Sequence, residues 1–329
     1  MRHHLVRTIA ASLTILFNAA PGVAQDAKTP EVQAVDALNA LFGQHPGNRA
    51  NHAKSIVAIG SFSASPEAAT LSRAPHLQGA TVPVTVRFSN ASGAPNIPDN
   101  SPNANPCGLA VKFRLPDGGD TDVVINPLAF FPVRTIEEFR DFLIAAKASG
   151  PNDPKPTPIE RFLAEHPKAA QALASTKTPA SYATEQYNGV DAFIFVGPKG
   201  ERTPFRYRVV PVAGVQHLSD DDIARRGPNF LSEDLEQRLK QGPIEFRVMA
   251  QIAEPGDPVE DATVPWPADR RLANLGTLRI EAIAPDNAAA SKSLVFFPGN
   301  LPEGIEPSGD PLIASRDAAY AESLTRRNQ

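Results

Sequence analysis

The chain has 329 residues, with 32 basic and 36 acidic side chains and a formal net charge of −4. An acidic balance of this kind argues against nucleic acid or another polyanion as a partner. Cys107 is the only cysteine, which excludes an internal disulfide and any attachment motif that needs two cysteines.

The N-terminus has the pattern of a cleavable signal peptide. Arg2 and Arg7 precede an apolar run over residues 8–17, and small residues follow as far as Ala24. This run is shorter than the roughly 20 residues that span a bilayer, so a retained membrane anchor is the weaker interpretation. We therefore expect a signal peptide over residues 1–24, export to the periplasm or beyond, and no membrane association after cleavage. Loss of the two arginines changes the net charge from −4 to −6.

The first part of the mature chain combines one helix with a run of strands. Apolar side chains at helical spacing, closed by Gly43, predict an N-terminal helical leader over residues 25–41. Alternating runs separated by Pro/Asn/Gly-rich turns then predict three strands of an antiparallel meander, at residues 55–62, 82–89 and 109–115.

Further helices and strands follow along the chain. Capping boxes at Thr135 with Glu138 and at Thr157 with Glu160 predict two helices. Another helix is expected at 232–240, and strand patterns occupy 193–212, 244–252 and 278–283. The predicted class is α+β, with an antiparallel sheet large enough to close into a barrel and helices in the second half.

The predicted strand at 82–89 has one apolar and one polar face. Its even positions are Val84, Val86 and Phe88, and its odd positions are Thr85, Arg87 and Ser89. The apolar face belongs to a core. The polar face either meets water or lines a polar cavity inside a barrel, and the strand alone does not distinguish these two interpretations.

The last helix begins at Asp310-Pro311, and four side chains share one of its faces: Leu312, Arg316, Tyr320 and Leu324. An arginine four residues before a tyrosine can place its guanidinium beside the phenol oxygen. A fixed cation there favours phenolate, a hard anionic ligand suited to ferric iron. The spacing alone does not establish a metal site, because Arg and Tyr pairs also decorate many solvated helices.

Four segments share a further feature, which is their order along the chain. They are HPGNRANHAK at 45–54, VRFS at 86–89, FPVRTIEEF at 131–139, and GIEPS at 304–308 leading into Arg316 and Tyr320. Together they resemble the catalases, and most closely the short catalase-related peroxidases of bacteria. The resemblance extends from about residue 42 to the end of the chain. It implies that residues 42–329 form a catalase-like haem-binding domain, with a closed antiparallel β-barrel and a C-terminal helix that carries the iron ligand.

The resemblance assigns chemical roles to five residues. Tyr320 matches the iron ligand of a non-covalently bound haem b, and Arg316 matches the arginine beside it. His52 matches the histidine that moves a proton between the two peroxide oxygens. Ser89 matches the serine that orients this histidine. Asn126 resembles the asparagine that holds peroxide, although one residue is missing between it and the following Phe-Phe pair relative to long catalases.

Four more residues match positions that hold the haem. Arg49, Arg87 and Arg327 occur where the family places partners of the haem propionates, a role suited to permanently charged guanidinium groups. Phe139 matches the aromatic residue that stacks on a haem pyrrole. His45, seven residues before the matched histidine, is expected to belong to a turn.

Some positions depart from the family pattern. Cys107 stands where an arginine is common, Ser55 replaces a glycine, and Ala91 stands where larger catalases have valine. The long wrapping segment and the C-terminal extension of full-size catalases are absent, so we expect no NADPH site and no threaded tetramer. A monomer or small homo-oligomer is expected, with Cys107 buried and unreactive.

The resemblance implies a haem peroxidase that reduces hydrogen peroxide with a small organic electron donor in peroxide detoxification, and organic peroxides are compatible with it as further substrates. Weak catalase activity is compatible with it. Two alternatives remain open at this point. One is the rearrangement of fatty-acid hydroperoxides, as in catalase-like allene oxide synthases, and the other is a non-enzymatic periplasmic haem-binding protein.

Overall fold

The computed structural model describes residues 27–329, so the predicted signal peptide over residues 1–24 lies outside the described residues. In this part of the chain no helix is both long enough and apolar enough to cross a membrane. The strands are β1 Ser55–Ala64, β2 Val82–Ser89, β3 Gly108–Arg114, β4 Asp120–Ile125, β5 Tyr187–Asn188, β6 Phe193–Val196, β7 Arg202–Pro211, β8 Ile244–Ile252, β9 Leu272–Ile283 and β10 Ile305–Pro307. The helices are α1 Pro30–Phe42, α2 Ala68–Leu71, α3 Ile136–Lys147, α4 Pro158–Glu165, α5 Pro167–Ala174, α6 Asp220–Ala224, α7 Phe230–Gln241, α8 Asn287–Ser293 and α9 Pro311–Arg327.

All the described strands belong to one antiparallel sheet, which confirms the predicted α+β class. The order is β10-β6-β7-β8-β9-β1-β2-β3-β4, and β5 pairs with β7. The predicted three-stranded meander is present as β1-β2-β3, and β4 extends it by a strand that was not predicted. Strand β9 joins it to the second half by pairing with both β8 and β1. The closed barrel needs correction, because β4 and β5 do not form a ladder. They meet only through the backbone bridge Asn126–Asn188, with N–O distances of 3.3 and 2.6 Å.

The apolar face of β2 enters the core, as its alternation predicts. Val84, Val86 and Phe88 pack in one cluster with residues of β8 and β9. The opposite face is the outer face of the curled sheet, because successive side chains of a strand alternate. Arg87 and Ser89 on this face are nevertheless buried. The interpretation that this face meets water is therefore wrong at this end of β2, where other parts of the chain cover it.

Strand β9 begins well before the strand predicted at 278–283. The ladder between β8 and β9 shifts register beside Gly276, whose φ is +146°. A Cβ at this position would lie 2.2 Å from the carbonyl oxygen of Ser63. Only glycine fits this close approach of β1, so a residue typical of a turn lies inside a strand.

The two predicted capping boxes differ. At α4, Thr157 Oγ1 accepts from Glu160 N at 3.4 Å, and Glu160 Oε2 accepts from Thr157 N at 2.7 Å. At α3, Thr135 caps Glu138 N at 3.2 Å, but the Glu138 carboxylate accepts from Arg134 N instead. The box at α3 is therefore only half formed, although the helix begins where it was predicted to begin.

The leader helix α1 packs against the helices that flank the site. Leu38 of α1 shares an apolar cluster with Leu143 of α3. Asp36 forms an ion pair with Arg326 of α9 at 2.8 Å. This contact fixes the C-terminal end of α9, the helix that carries Tyr320.

The other end of α9 is fixed by Asp310. Its Oδ1 accepts from Leu312 N at 3.0 Å, and the residue is 4% exposed. Burial raises the pKa of Asp310 to about 6, the charges of Asp191 and Asp261 add to this increase, and the Leu312 N–H and Arg206 oppose it. The helix that presents Tyr320 therefore begins at a carboxyl group that titrates in a mildly acidic range.

We predict that Asp310→Asn removes a pH dependence of stability. Because the folded pKa is raised, the contribution of Asp310 is fully present below its unfolded value of 3.8 and is lost as pH rises through about 6. Asparagine caps helices as well as aspartate does, so the cap survives. Urea unfolding across this pH range should show the wild type losing about 2 kcal/mol relative to the variant, allowing for solvent screening. Parallel pH profiles for the two proteins would contradict the assignment.

Candidate active site

His52 lies in the loop before β1 and faces the end of β2. Its Nδ1 is 3.2 Å from Ser89 Oγ. The backbone at His52 has φ +54°, a left-handed conformation that few non-glycine residues adopt, although histidine is among those that adopt it more often. Gly108 makes room for the ring, because a Cβ there would lie 3.1 Å from two of its atoms. The loop and the two strands thus hold the imidazole in one orientation.

The electrostatic surroundings keep His52 uncharged. Burial lowers the pKa of His52 to about 3, and the charges of Arg87, Arg316 and Arg49 add to this effect. A backbone hydrogen bond with Asn90 opposes it. The imidazole is therefore neutral over the whole range in which proteins usually work, as required of a group that must accept a proton.

Three guanidinium groups, Arg49, Arg87 and Arg327, lie close together, and we call them the arginine cluster. Arg87 donates to the carbonyl oxygen of His52, while Arg49 and Arg327 both donate to the carbonyl oxygen of Leu294. Burial, followed by the charges of Arg87 and Arg327, lowers the pKa of Arg49 from its usual high value. Over residues 27–329 none of the three lies within ion-pair distance of a carboxylate.

The arginine cluster fits the carboxylates of a haem. The Nε atoms of Arg87 and Arg327 are buried and have no hydrogen-bond partner among the described residues. Buried arginines remain charged and are normally paired, so this arrangement lacks an anion. Two propionate groups would supply the missing charge and accept from these unpaired donors. The residues present therefore fit the group that the resemblance implies.

Arg316 on α9 lies between an acid and a phenol. Its Nε and Nη2 are 3.4 and 3.3 Å from Tyr320 Oη, as the one-turn spacing predicted. Its Nη1 forms an ion pair with Asp191, whose side chain is 4% exposed. Burial opposes the charge, but Asp191 and the oxygen of Tyr320 outweigh burial and raise the pKa of Arg316. The phenol oxygen thus faces a permanent cation.

Asp191 is a site residue that sequence reasoning missed. It lies in the short link between β5 and β6, next to the buried Val190 and Ala192. A single acidic residue between apolar residues indicates a buried carboxylate, and such a group is almost always paired. The sequence does not indicate its partner, because Arg316 is 125 positions away in the chain.

Asp99 is a second missed residue, and it supports the His52 loop. It binds Lys54 at 2.7 Å, accepts from Asn90 Nδ2 at 2.8 Å, and accepts from Leu231 N at 2.9 Å. It therefore ties the segment after His52, the segment after Ser89 and the start of α7 to a single carboxylate.

The remaining residues singled out in the sequence make different local contacts. Asn126 Oδ1 accepts from Leu128 N at 2.9 Å, so its oxygen stabilises a turn. Phe139 is half-buried, with its ring centroid 6.0 Å from that of Phe131. Cys107 is buried as expected, and burial raises its pKa. His45 Nε2 is 3.0 Å from the carbonyl oxygen of Phe42 at the end of α1. The roles given to Asn126 and Phe139 stay predictions.

The His52 loop and α9 form one site. Ala50 N donates to Ser323 Oγ at 3.1 Å, which joins the loop to α9 close to Tyr320. The charge of Arg316 acts on His52, and that of Tyr320 acts on Arg49 and Arg87. The elements β2, the His52 loop and α9 therefore bring a neutral base, a phenol beside a cation, and the arginine cluster together.

Comparison with known proteins relates the chain to the catalases. The family model described as Catalase matches residues 27–328. A protein named catalase-related peroxidase from Mycolicibacterium paratuberculosis is 38% identical over 303 residues, covering 91% of this chain and 95% of its own length. Another of that name, from Synechococcus elongatus, is 34% identical over 338 residues, covering 100% and 98%.

Solved structures show the fold. A bacterial catalase matches with a TM-score of 0.76 and 22% identity, over 98% of this chain and 67% of its own. A fungal catalase matches with a TM-score of 0.76 and 20% identity, over 89% of this chain. The chain spans 61% of the length of that fungal enzyme. The predicted catalase-like fold is confirmed, and with the family model covering nearly all described residues, the chain belongs to the catalase family.

Proposed function

We propose that the protein is a haem-dependent peroxidase that reduces hydrogen peroxide with a small organic electron donor. The observation that carries the proposal is the neutral, oriented imidazole of His52 in the same cluster as Arg316 and Tyr320. A protein that only carried haem would have no use for such a base. The names of the two catalase-related peroxidases support peroxide as the substrate.

Haem b, bound without covalent attachment, would supply the redox chemistry of the site. Tyr320 would ligate the iron through its phenol oxygen, which faces the Arg316 cation. The arginine cluster would bind the propionates. Phe139 would contact the face of a pyrrole ring. Each of these roles uses a group whose charge or shape fits it.

The proton chemistry would belong to His52. With Ser89 at Nδ1, the Nε2 atom is the one available to take the proton from one peroxide oxygen and return it to the other. Ser89 and the carbonyl contact with Arg87 restrict the movement of the ring and its loop. Asn126 would orient the peroxide through its amide nitrogen, since its oxygen is held by Leu128.

We also propose that the protein is exported. The support is the signal-type pattern of residues 1–24, with two arginines, an apolar run and small residues before Ala24. Sequencing the N-terminus of protein recovered from a periplasmic extract would test this, and retention of Met1 in that protein would contradict it.

We predict that Tyr320→Phe removes the iron ligand. Protein produced with haem should have a high-spin ferric tyrosinate-type absorption spectrum, and the variant should lose it. Tyr207→Phe is the matched control, because Tyr207 is a buried tyrosine of the sheet outside the site. An unchanged spectrum in Tyr320→Phe would exclude the ligand assignment.

We predict that His52→Ala retains haem but slows peroxide cleavage by about 10²–10⁴-fold, the usual contribution of a general acid–base group. Because the pKa of His52 is about 3, the wild-type rate should have no acid limb near the ordinary histidine value of 6.5. Stopped-flow mixing with peroxide measures both effects, with His45→Ala as the control. Unchanged turnover in His52→Ala, or a limb centred near 6.5, would contradict the role.

The same holoprotein tests the peroxidase assignment. Peroxide should drive oxidation of a phenolic dye by the wild type. Rapid oxygen release from peroxide without any dye oxidation would refute the preference for an organic donor.

We predict that Asp191→Asn destabilises the protein by about 3–5 kcal/mol, because it leaves the buried Arg316 cation without its carboxylate. Urea unfolding of the holoprotein measures this change. Asp234→Asn removes one partner of the more exposed pair with Arg238 and should cost less than ~1 kcal/mol. Equal losses of unfolding free energy in the two variants would show that the buried Asp191–Arg316 pair stabilises the protein no more than the exposed pair does.

A further inference from the structure

A cavity of about 290 Å³ opens on the side of the barrel where β4 and β5 meet. Its wall adjoins the proposed site at Leu128, whose N–H binds Asn126 Oδ1, but none of the residues given a role above lines it. Its lining divides into two kinds of residue. The apolar residues include Pro106, Pro127, Leu128 and Val215, and the polar residues include Glu185 and His217.

Glu185 and His217 form a hydrogen-bonded pair. His217 Nε2 lies 3.4 and 3.2 Å from the two carboxylate oxygens of Glu185. The glutamate side chain is 4% exposed and that of the histidine 29%. When the carboxylate is ionised it accepts the Nε2 proton, which leaves the lone pair on Nδ1. Over residues 27–329, Nδ1 of His217 has no hydrogen-bond partner. His217, which lines the cavity, therefore keeps one ring nitrogen available as an acceptor.

Only a short stretch of chain separates this cavity from His52. Pro106 on the cavity wall is followed by Cys107 and by Gly108, whose backbone lies against the His52 ring. The opposite wall, Pro127 and Leu128, directly follows Asn126. A molecule in the cavity is thus next to the proposed peroxide pocket without occupying it.

We propose that this cavity binds the organic donor and that the donor is a single-ring phenol. The ring packs against the prolines and Leu128, and the hydroxyl donates to Nδ1 of His217. The volume lies near the lower limit of ligand pockets, roughly 300 Å³, which suits one ring. This inference rests on the proposed peroxidase function and names its donor class and donor site.

The Glu185–His217 pair also suits the chemistry of a phenol. One-electron oxidation of a phenol yields a phenoxyl radical, one electron and the hydroxyl proton. The redox chemistry that the proposed haem would supply takes up the electron, and the proton goes to Nδ1 of His217. Glu185 stabilises the resulting imidazolium through Nε2.

The first test measures binding to the resting holoprotein by calorimetry. Phenol should bind about tenfold more tightly than anisole, which has the same ring but no hydroxyl proton to donate. His217→Leu removes the acceptor at a partly exposed position and should abolish this preference. The control His166→Leu changes a histidine outside the cavity and should leave the preference intact. Equal affinities for phenol and anisole in the wild type would overturn the inference.

The second test separates this inference from the proposed function. With phenol as donor, His217→Leu should raise KM for phenol about tenfold and leave KM for peroxide unchanged. Leu128→Trp fills the cavity and should exclude both phenol and anisole. A wild type that oxidises no phenol contradicts the proposed function itself. A wild type that oxidises phenol, with both variants unchanged in phenol affinity, refutes only the cavity as the donor site.

Discussion

The site depends on an imbalance of buried charge. Four guanidinium groups surround it, and within residues 27–329 only that of Arg316 has a carboxylate, Asp191. The other three, of the arginine cluster, donate to backbone carbonyls and repel one another. An anion bound among the three guanidinium groups would offset their mutual repulsion. The paired Arg316 thus faces Tyr320, whereas the unpaired cluster fits the propionates of the haem proposed above.

The same positive field determines the state of His52. Burial alone disfavours an imidazolium, and the nearby guanidinium groups strengthen the effect. A base that is neutral at every working pH, with Nδ1 beside Ser89, is therefore a consequence of the groups that would hold the haem. The cation of Arg316 adds to this effect on His52 and also lies 3.3 Å from the phenol oxygen of Tyr320.

The sheet brings these groups together from its outer face. Strand β2 sends its apolar side chains into the barrel and its polar ones outward, where the His52 loop and α9 cover them. The sheet curls so that β4 and β5 approach each other, but the two strands are connected only by the Asn126–Asn188 bridge and not by a full ladder. The proposed phenol cavity lies beside this junction, where the two walls are loops and strand ends. The proposed donor cavity thus lies where the sheet is not fully closed.

The sequence alone indicated most of the longer strands and helices and the chemistry of single residues, but it missed β4 and several short elements. Local signals are sufficient for that, such as the alternation in β2, the cap at Asp310 and the one-turn spacing of Arg316 and Tyr320. The order of four motifs was enough to indicate the family. Only the tertiary structure decided that the polar face of β2 is buried from outside and that Asp191 pairs with Arg316. It also decided that the sheet is joined by one bridge. These features depend on contacts between distant parts of the chain, and local pattern carries no information about which partners meet.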